Sequence, residues 1–348
     1  MTISKPDSTS TQMAVEAAES AEAVQRQIDR CAPLFRALGE RLRALDPALV
    51  VTCARGSSDH AATYGKYLIE THLGLPVASV GPSVVSLYNT DLRLKGALFI
   101  AVSQSGRSPD LLRLAAAAKQ GGAFVVAFVN DEASPLAATA DLCIPLCAGP
   151  EISVAATKSY LTSAMAFLAL VAEWKQDAVL RRAVIQAPAI LAAAAELDWT
   201  PALLGLADKT GLYVIGRGLG TGAIMEMALK CKETCRLHAE AFSAAEVIHG
   251  PLALVGPDFP VLAINQDDAT AAATRAAIAR CVALGGPVYS SDDGVPGVIA
   301  LPSLPGLAPE LAPLAAVQSF YMAIHTVSRR RGLNPDVPAN LRKVTETV

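Results

Sequence analysis

The chain is poor in aromatic side chains: Phe, Trp and Tyr make up only 5% of its 348 residues. It also lacks an excess of either charge. Lys plus Arg is 29 and Asp plus Glu is 32, a net charge of −3, so the basic footprint of a nucleic-acid binder is missing and no nucleic-acid partner is expected. Nor is there a clear membrane span, although the mean hydropathy is +0.37. The uncharged stretch 159–172 has 14 residues, too short to cross a bilayer. The stretch 311–328 has 18, but it contains Pro313, Gln318, Ser319, His325 and Thr326. Both read as buried core helices, and no membrane partner is expected. The opening MTISKPDSTSTQMAVEAAES has no basic start followed by an apolar run. No secretory signal is therefore expected, and the expected compartment is the cytoplasm.

Cysteines are few and odd in number: 31, 53, 143, 147, 231, 235 and 281. Cys143/Cys147 and Cys231/Cys235 are spaced C-x₃-C without a His or Cys partner at zinc-finger spacing, so no metal is expected. Buried free thiols in a reducing compartment are the better reading.

What is present is aliphatic. Hydrophobic residues are 52% and charged residues 18%, enough to bury sizeable cores and to exclude a mostly disordered chain. Ala, Leu and Val at this density suit helices packed on parallel strands. The length suits two domains of roughly 150 residues each.

Residues 1 to about 15 are polar and loose, and 13–45 has a helical pattern. Short apolar runs then alternate with helical ones: LVVTCA (49–54), VASV (77–80), ALFIAVS (97–103), AFVVAFV (123–129) and LCIPL (142–146), with helices over 60–73 and 109–120. This order implies a parallel sheet with helices on both faces. It then returns in GLYVIG (211–216), a helix at about 221–236, PVLAIN (260–265), GGPVYSS (285–291) and VIALP (298–302). The turn glycines Gly56 and Gly218 are 162 residues apart, and so are Gln104 and Gln266. Two landmarks sharing one offset argue for an internal duplication. The expected division is an N-terminal segment and helix (1–30), a first unit (31–178), a helical linker (179–206), a second unit (207–334) and a tail (335–348).

The segment Ser103-Gln104-Ser105-Gly106-Arg107-Ser108-Pro109 joins a strand to a helix. Ser108 suits an N-cap and Pro109 a first helical position. Free backbone N–H groups, three hydroxyls and a helix dipole make such a loop an anion site. An ordinary Ser-rich turn with a cap fits the same residues. The equivalent second-unit loop, Asn265-Gln266-Asp267-Asp268, carries two carboxylates that would repel a phosphate, so one anion site per chain is expected. The turn Gly56-Ser57-Ser58-Asp59 lies at the C-terminal end of another strand, where ligands bind in open α/β sheets. It reads equally as a capping turn, with Ser58 or Asp59 opening the helix. The stretch 226–252 places Lys230 and Glu233 three apart on a helix, with His249 just before Gly250-Pro251. A cation, a base and a proton shuttle could act together there; a surface ion pair is the simpler alternative. His60, His72 and His325 lie on helices and read as structural.

Together these motifs resemble the SIS (sugar isomerase) family, and most closely the isomerase half of the glutamine–fructose-6-phosphate aminotransferases. The resemblance runs from about residue 30 to the end. It rests on SQSG-x-S (103–108), EISVAATK (151–158), ALKCKE (228–233), HAEAFSAAEVIHGPLAL (238–254) and PANLRKVTETV (338–348). It implies an α/β fold of two tandem units, each a parallel five-stranded sheet flanked by helices. It implies a phosphate site at Ser103, Gln104, Ser105 and Ser108 with Ser58 beside it, and sugar contacts from Val154 and Ala155. Glu233 would be the base moving a proton between sugar C1 and C2, and Lys230 would stabilise the developing oxyanion. His249 would open the sugar ring from the neighbouring subunit of a homodimer. Lys343 would contact the sugar and form a Schiff base with its keto form. No cofactor is implied.

Two departures stand out. Ala156 occupies the place of a sugar-contacting serine, and residue 2 is Thr with the first cysteine at Cys31, so no amino-terminal cysteine is available to hydrolyse glutamine. The implied substrate is a phosphorylated amino sugar and the implied reaction glucosamine-6-phosphate deamination, since single-chain relatives of this architecture act so and share a turn similar to ARGSSDHAA (54–62). A galactosamine or fructosamine 6-phosphate is an alternative substrate. A non-catalytic phosphosugar sensor is a further alternative, although 1–45 is too short and acidic for a DNA-binding domain.

Overall fold

The computed structural model describes residues 10–343; positions 1–9 and the last five residues of the 338–348 motif lie outside it. Helices α1 (Gln12–Ala18) and α2 (Ser20–Leu45) come first, so the helical pattern expected over 13–45 is broken once, at Glu19. The first sheet contains β1 (Val50–Cys53), β2 (Val77–Ser79), β3 (Leu98–Ser103), β4 (Phe124–Val129) and β5 (Leu142–Pro145). Helices α3 (Ser57–Leu73), α4 (Ser83–Ser86), α5 (Pro109–Gln120) and α6 (Pro135–Thr139) lie between its strands. Next come α7 (Lys158–Lys175), α8 (Ala178–Ala195) and α9 (Thr200–Leu203). The second sheet contains β6 (Gly211–Gly216), β7 (His238–Ser243), β8 (Val261–Ala263), β9 (Val288–Ser290) and β10 (Ile299–Ala300), with α10 (Gly220–Cys235) and α11 (Ala271–Ala283) between strands and α12 (Ala312–Arg330) after them.

Both sheets are parallel and five-stranded. Their orders are β2-β1-β3-β4-β5 and β7-β6-β8-β9-β10, the same winding twice. The duplication inferred from the 162-residue offset is therefore present in the topology. One strand escaped the sequence reading. β7 pairs with β6, Gly211 opposite His238, at the sheet edge. Its alternating burial, with His238 and Glu240 exposed and Ala239 buried, is weak beside the apolar runs of the central strands.

The central strands are continuous apolar runs because both faces are covered. Along β3, Leu98, Ile100 and Val102 enter a core shared by the two halves, whereas Phe99 and Ala101 enter a separate core under α5. Under α11 a third core holds Ile215, Ala263 and Ile278. The two stretches read as core helices are so: α7 is buried along almost its whole length, and α12 buries Leu314, Phe320, Tyr321 and Ile324. The described helix that comes nearest to a membrane span by length and composition is α8, which packs on α2, α7 and α12.

The halves meet where α3 crosses α10. The crossing is tight: a Cβ added at Gly222 would stand 2.4 Å from the His60 carbonyl oxygen and 2.8 Å from the Tyr64 amide nitrogen. Backbone cannot yield as a flexible side chain does, so Gly222→Ala is expected to cost about 1–3 kcal/mol by overpacking. Thermal unfolding should show a midpoint several degrees lower; an unchanged midpoint would mean that the crossing is looser than this spacing requires.

Candidate active site

β3 delivers Ser103 to the end of the first sheet, and α5 begins at Pro109. Between them the chain turns tightly, with Ser103 Oγ accepting from the Gly106 amide at 3.0 Å and Ser105 Oγ from the Arg107 amide at 3.4 Å. Gly106 has φ +63°, and a Cβ there would lie 2.2 Å from Ser134 Oγ. Both facts require glycine. Ser108 occupies the N-cap position of α5 as expected, but its side chain makes no capping hydrogen bond and lines a cleft instead.

The cleft, about 310 Å³, lies between the two halves of the chain. Ser58, Ser103, Gln104, Ser105, Ser108, Val154, Glu233 and Lys343 all line it, gathered from distant parts of the sequence. Ala155 does not. It is fully buried, so of the loop expected to contact the sugar, Val154 and Ala156 are the residues that face the cleft. Arg55 was not anticipated. Its guanidinium lines the cleft and donates to the buried Asp110 carboxylate in the first turn of α5, at 3.2 and 2.6 Å. The hydroxyl loop thus has a cation beside it, whose sequence signal was its place in the Arg-Gly turn. Helix α3 starts at Ser57 with Gly56 at its cap position, so neither Ser58 nor Asp59 caps it.

Helix α10 supplies the second wall. Glu226, Lys230 and Glu233 repeat at i, i+4 and i+7 and share one face. Lys230 is fully buried. Its ammonium lies 2.9 Å from Ser57 Oγ, 3.1 Å from Glu226 Oε1 and 2.6 Å from Glu233 Oε2. Three donors meet three acceptors, and Lys230 does not line the cleft. The ammonium expected to stabilise a sugar oxyanion thus stands behind the cleft wall, in contact with the Glu233 carboxylate. Burial alone would lower the Lys230 pKa, but Glu226 and Glu233 outweigh it and hold the group charged, above its usual value. Glu233 Oε1 has no hydrogen-bond partner among the described residues.

Glu226 is the residue that sequence reasoning missed. It is fully buried, and it accepts from Ser57 Oγ at 3.1 Å and from the Tyr321 hydroxyl at 2.7 Å, with His60 Nδ1 at 3.0 Å. His60, read as a structural histidine, is thus joined to the site through this carboxylate. Burial alone would raise the Glu226 pKa; Lys230, His60 and Tyr321 reverse this and bring it down to about 2. The available signal was its spacing of four from Lys230.

The third wall is the loop 151–158 with the chain's final described residues. The buried Glu151 carboxylate accepts from the amides of Thr157 and Ser159, at 3.0 and 3.1 Å, and from Ser159 Oγ at 2.6 Å. Lys343 Nζ donates to the Ser153 carbonyl at 2.7 Å and to Glu151 Oε2 at 3.2 Å. Asp336 ties this tail to α1, accepting from the Gln12 and Met13 amides at 2.9 and 2.7 Å, while its carbonyl accepts from the Val154 amide at 3.1 Å.

His249 is not brought to this cleft. It is exposed just after the 3₁₀ turn Glu246–Ile248 and does not line the cavity of its own chain. The second unit's loop opens on a different cavity, about 320 Å³, lined by Asp267, Asp292 and Asp293. The hydroxyl-lined and carboxylate-lined loops thus differ in the direction expected for a single anion site.

Glu226 gives a test of the buried network. Its folded pKa lies below the ordinary carboxylate value of 4.5, so its ionised form stabilises the fold above the unfolded value. That contribution is lost as pH falls from about 4.5 towards about 2. Glu226→Gln should cost about 3–5 kcal/mol near neutrality, the usual loss on breaking a buried ion pair. In urea titrations its deficit against the wild type should shrink across that acid window; a pH-independent deficit would place the effect elsewhere.

Comparison with known proteins agrees with this architecture. The model for the family described as "SIS domain" matches residues 48–173 and 205–300, one segment on each sheet. The glutamine–fructose-6-phosphate aminotransferase (isomerizing) of Thermotoga maritima is 32% identical over 324 residues, covering 87% of this chain and 52% of the relative. The chain thus spans about half the length of the curated relatives it matches. A protein of Silicibacter pomeroyi DSS-3, provisionally described as a phosphosugar isomerase, superposes with a TM-score of 0.90 at 43% identity, covering 94% of this chain and all of that one. The C-terminal domain of glucosamine-fructose-6-phosphate aminotransferase from Francisella tularensis gives a TM-score of 0.85 at 26% identity, covering 96% of this chain and all of that one. With two matched segments carrying the same sheet twice, and the cleft between them, this chain belongs to the SIS domain family.

Proposed function

We propose that the chain is a phosphosugar isomerase acting on a phosphorylated amino sugar, and specifically a glucosamine-6-phosphate deaminase. The observation that carries this reading is Glu233. It is a carboxylate in the cleft wall, with one oxygen held by a buried ammonium and the other without a hydrogen-bond partner among the described residues, across from a loop of hydroxyls.

The phosphate anchors against Ser103, Gln104, Ser105 and Ser108, with Ser58 and Arg55 beside them. Hydrogen bonds to a charged group are worth roughly 1.5–3 kcal/mol each, enough in combination to fix one end of a hexose. With the sugar ring open, Glu233 removes the proton from C2 and returns it to C1, while the C1 carbonyl oxygen gains a proton and the C2 amino nitrogen gives one up. The product is an imine at C2. Water adds there and ammonia leaves, giving fructose 6-phosphate. Lys230 keeps Glu233 in register, and Lys343 supplies a cation at the sugar end of the cleft. The relatives support this reading: the Thermotoga maritima and Francisella tularensis proteins are both fructose-6-phosphate aminotransferases, and the name of the second includes glucosamine.

His249 fits the same reading if a second copy of the chain contributes it, which makes the active form a homodimer, in the cytoplasm. Mixing the two inactive variants Glu233→Gln and His249→Asn and allowing subunits to exchange should restore turnover, since one site of each mixed dimer is then intact. No restoration would put both residues in one subunit's site.

The direct test is an assay of free ammonia and fructose 6-phosphate with glucosamine 6-phosphate as substrate, run beside galactosamine 6-phosphate. Glu233→Gln should lower kcat by about 10²–10⁴, the typical worth of a positioned acid–base group, with binding of inorganic phosphate retained. Normal turnover by that variant, or ammonia release from the galactose epimer alone, would overturn the assignment.

A further inference from the structure

Away from the cleft, two thiols face each other. Cys31 is buried on α2, and Cys147 is half-buried in the segment that leaves β5 and leads into the loop 151–158. Their sulfurs are 3.9 Å apart. Cys147 has φ +56°, an uncommon backbone state for a residue with a side chain. The pair is asymmetric. The hydrogen bond from Cys31, aided by the nearby Arg30 guanidinium and opposed by burial, brings the Cys147 thiol down to about 7. The same contact and burial push Cys31 far up. Of the two, Cys147 is thus the thiol that gives up its proton more readily. The remaining thiols lack this setting: burial raises Cys53 to about 12 and Cys143, Cys235 and Cys281 to about 11, and Cys231 is pushed well up.

We propose that Cys31 and Cys147 form a redox-modification site, at which a small hydroperoxide drives closure of an intrachain disulfide between α2 and the segment feeding the active-site loop. The Cys147 thiolate attacks the peroxide oxygen. The O–O bond breaks, hydroxide (alkoxide, from an organic hydroperoxide) leaves and takes up a proton as water or alcohol, and Cys147 becomes a sulfenic acid. Cys31 then loses its proton and attacks the Cys147 sulfur; the S–O bond breaks and water departs. Two thiols are oxidised and one peroxide is reduced. A disulfide needs about 2.05 Å between sulfurs, so closure requires an approach of roughly 1.9 Å. Asn130 holds the Cys147 side of the gap, with its Oδ1 accepting from the Ala148 amide and its Nδ2 donating to the Gly149 carbonyl, both at 2.8 Å. The bridge therefore bears on the stretch that ends at Glu151, the carboxylate that receives Lys343.

The full chain, freed of reductant, is treated with hydrogen peroxide, its free thiols are alkylated, and it is digested without reduction. The expected result is loss of two of the seven thiols, a single cross-linked peptide pair joining Cys31 to Cys147, and full recovery with dithiothreitol. Cys31→Ser, whose hydroxyl can still donate to Cys147, should leave Cys147 as a sulfenic acid trapped by dimedone. Cys147→Ser should abolish the reaction at Cys31. Seven thiols surviving, or Cys147 running on to sulfinic acid with Cys31 unlinked in the wild type, would overturn the proposal. These readouts need no phosphosugar, so they stand or fall separately from the proposed activity.

Discussion

Everything at the candidate site depends on one buried ammonium. Taking a lysine out of water costs several kcal/mol, which only well-placed acceptors recover. Lys230 finds three, and they come from two helices: Ser57 from α3, and Glu226 and Glu233 from its own α10. The arrangement locks the crossing of α3 on α10, because any slip would leave a charge buried without its partners. It also decides which carboxylate faces the cleft. Glu226 is enclosed by His60, Tyr321 and Ser57, whereas Glu233 reaches the cleft wall.

The duplicated fold becomes useful by losing its symmetry. Two sheets with the same strand order present their loops to the molecule, yet the loops differ in chemistry. After β3 the chain offers hydroxyls and a helix start; after β8 it offers Asp267 and Asp268. The first half is thus suited to an anion, and the second contributes α10 and its cleft-facing carboxylate. The segments at either end of the described chain then brace the third wall. Glu16 of α1 accepts from the Ile152 and Ser153 amides, Glu19 pairs with the buried Lys158, and Lys343 comes back to Glu151. A loop that would otherwise expose several backbone amides has them accepted by the Glu16 and Glu151 carboxylates and the Asp336 carbonyl, which is how buried backbone groups are satisfied where no strand is available.

The parts legible in the sequence were those encoded locally. Runs such as LFIAVS are apolar throughout because both faces are buried, and they gave the parallel sheets and the repeat. The loop after β3 and the Lys230–Glu233 pair were visible because a turn and a helix face are short-range patterns. β7 was not legible, since an edge strand with one solvated face carries only weak alternation. Arg55, Glu226 and His60 went unselected because a place in a turn or a spacing of four is too weak a local signal by itself. They acquire a role only when α5 and α3 lie beside β1 and α10.

By itself the sequence determined the fold class, the duplication and the types of side chain offered to a ligand, since periodicity and turn chemistry act over a few residues. Only the tertiary structure decided which of those side chains share a cavity. It buried Lys230 and Ala155 away from the cleft, brought Ala156 and Arg55 into it and left His249 on the surface, because burial and charge pairing across the seam between the halves depend on contacts between residues more than a hundred positions apart.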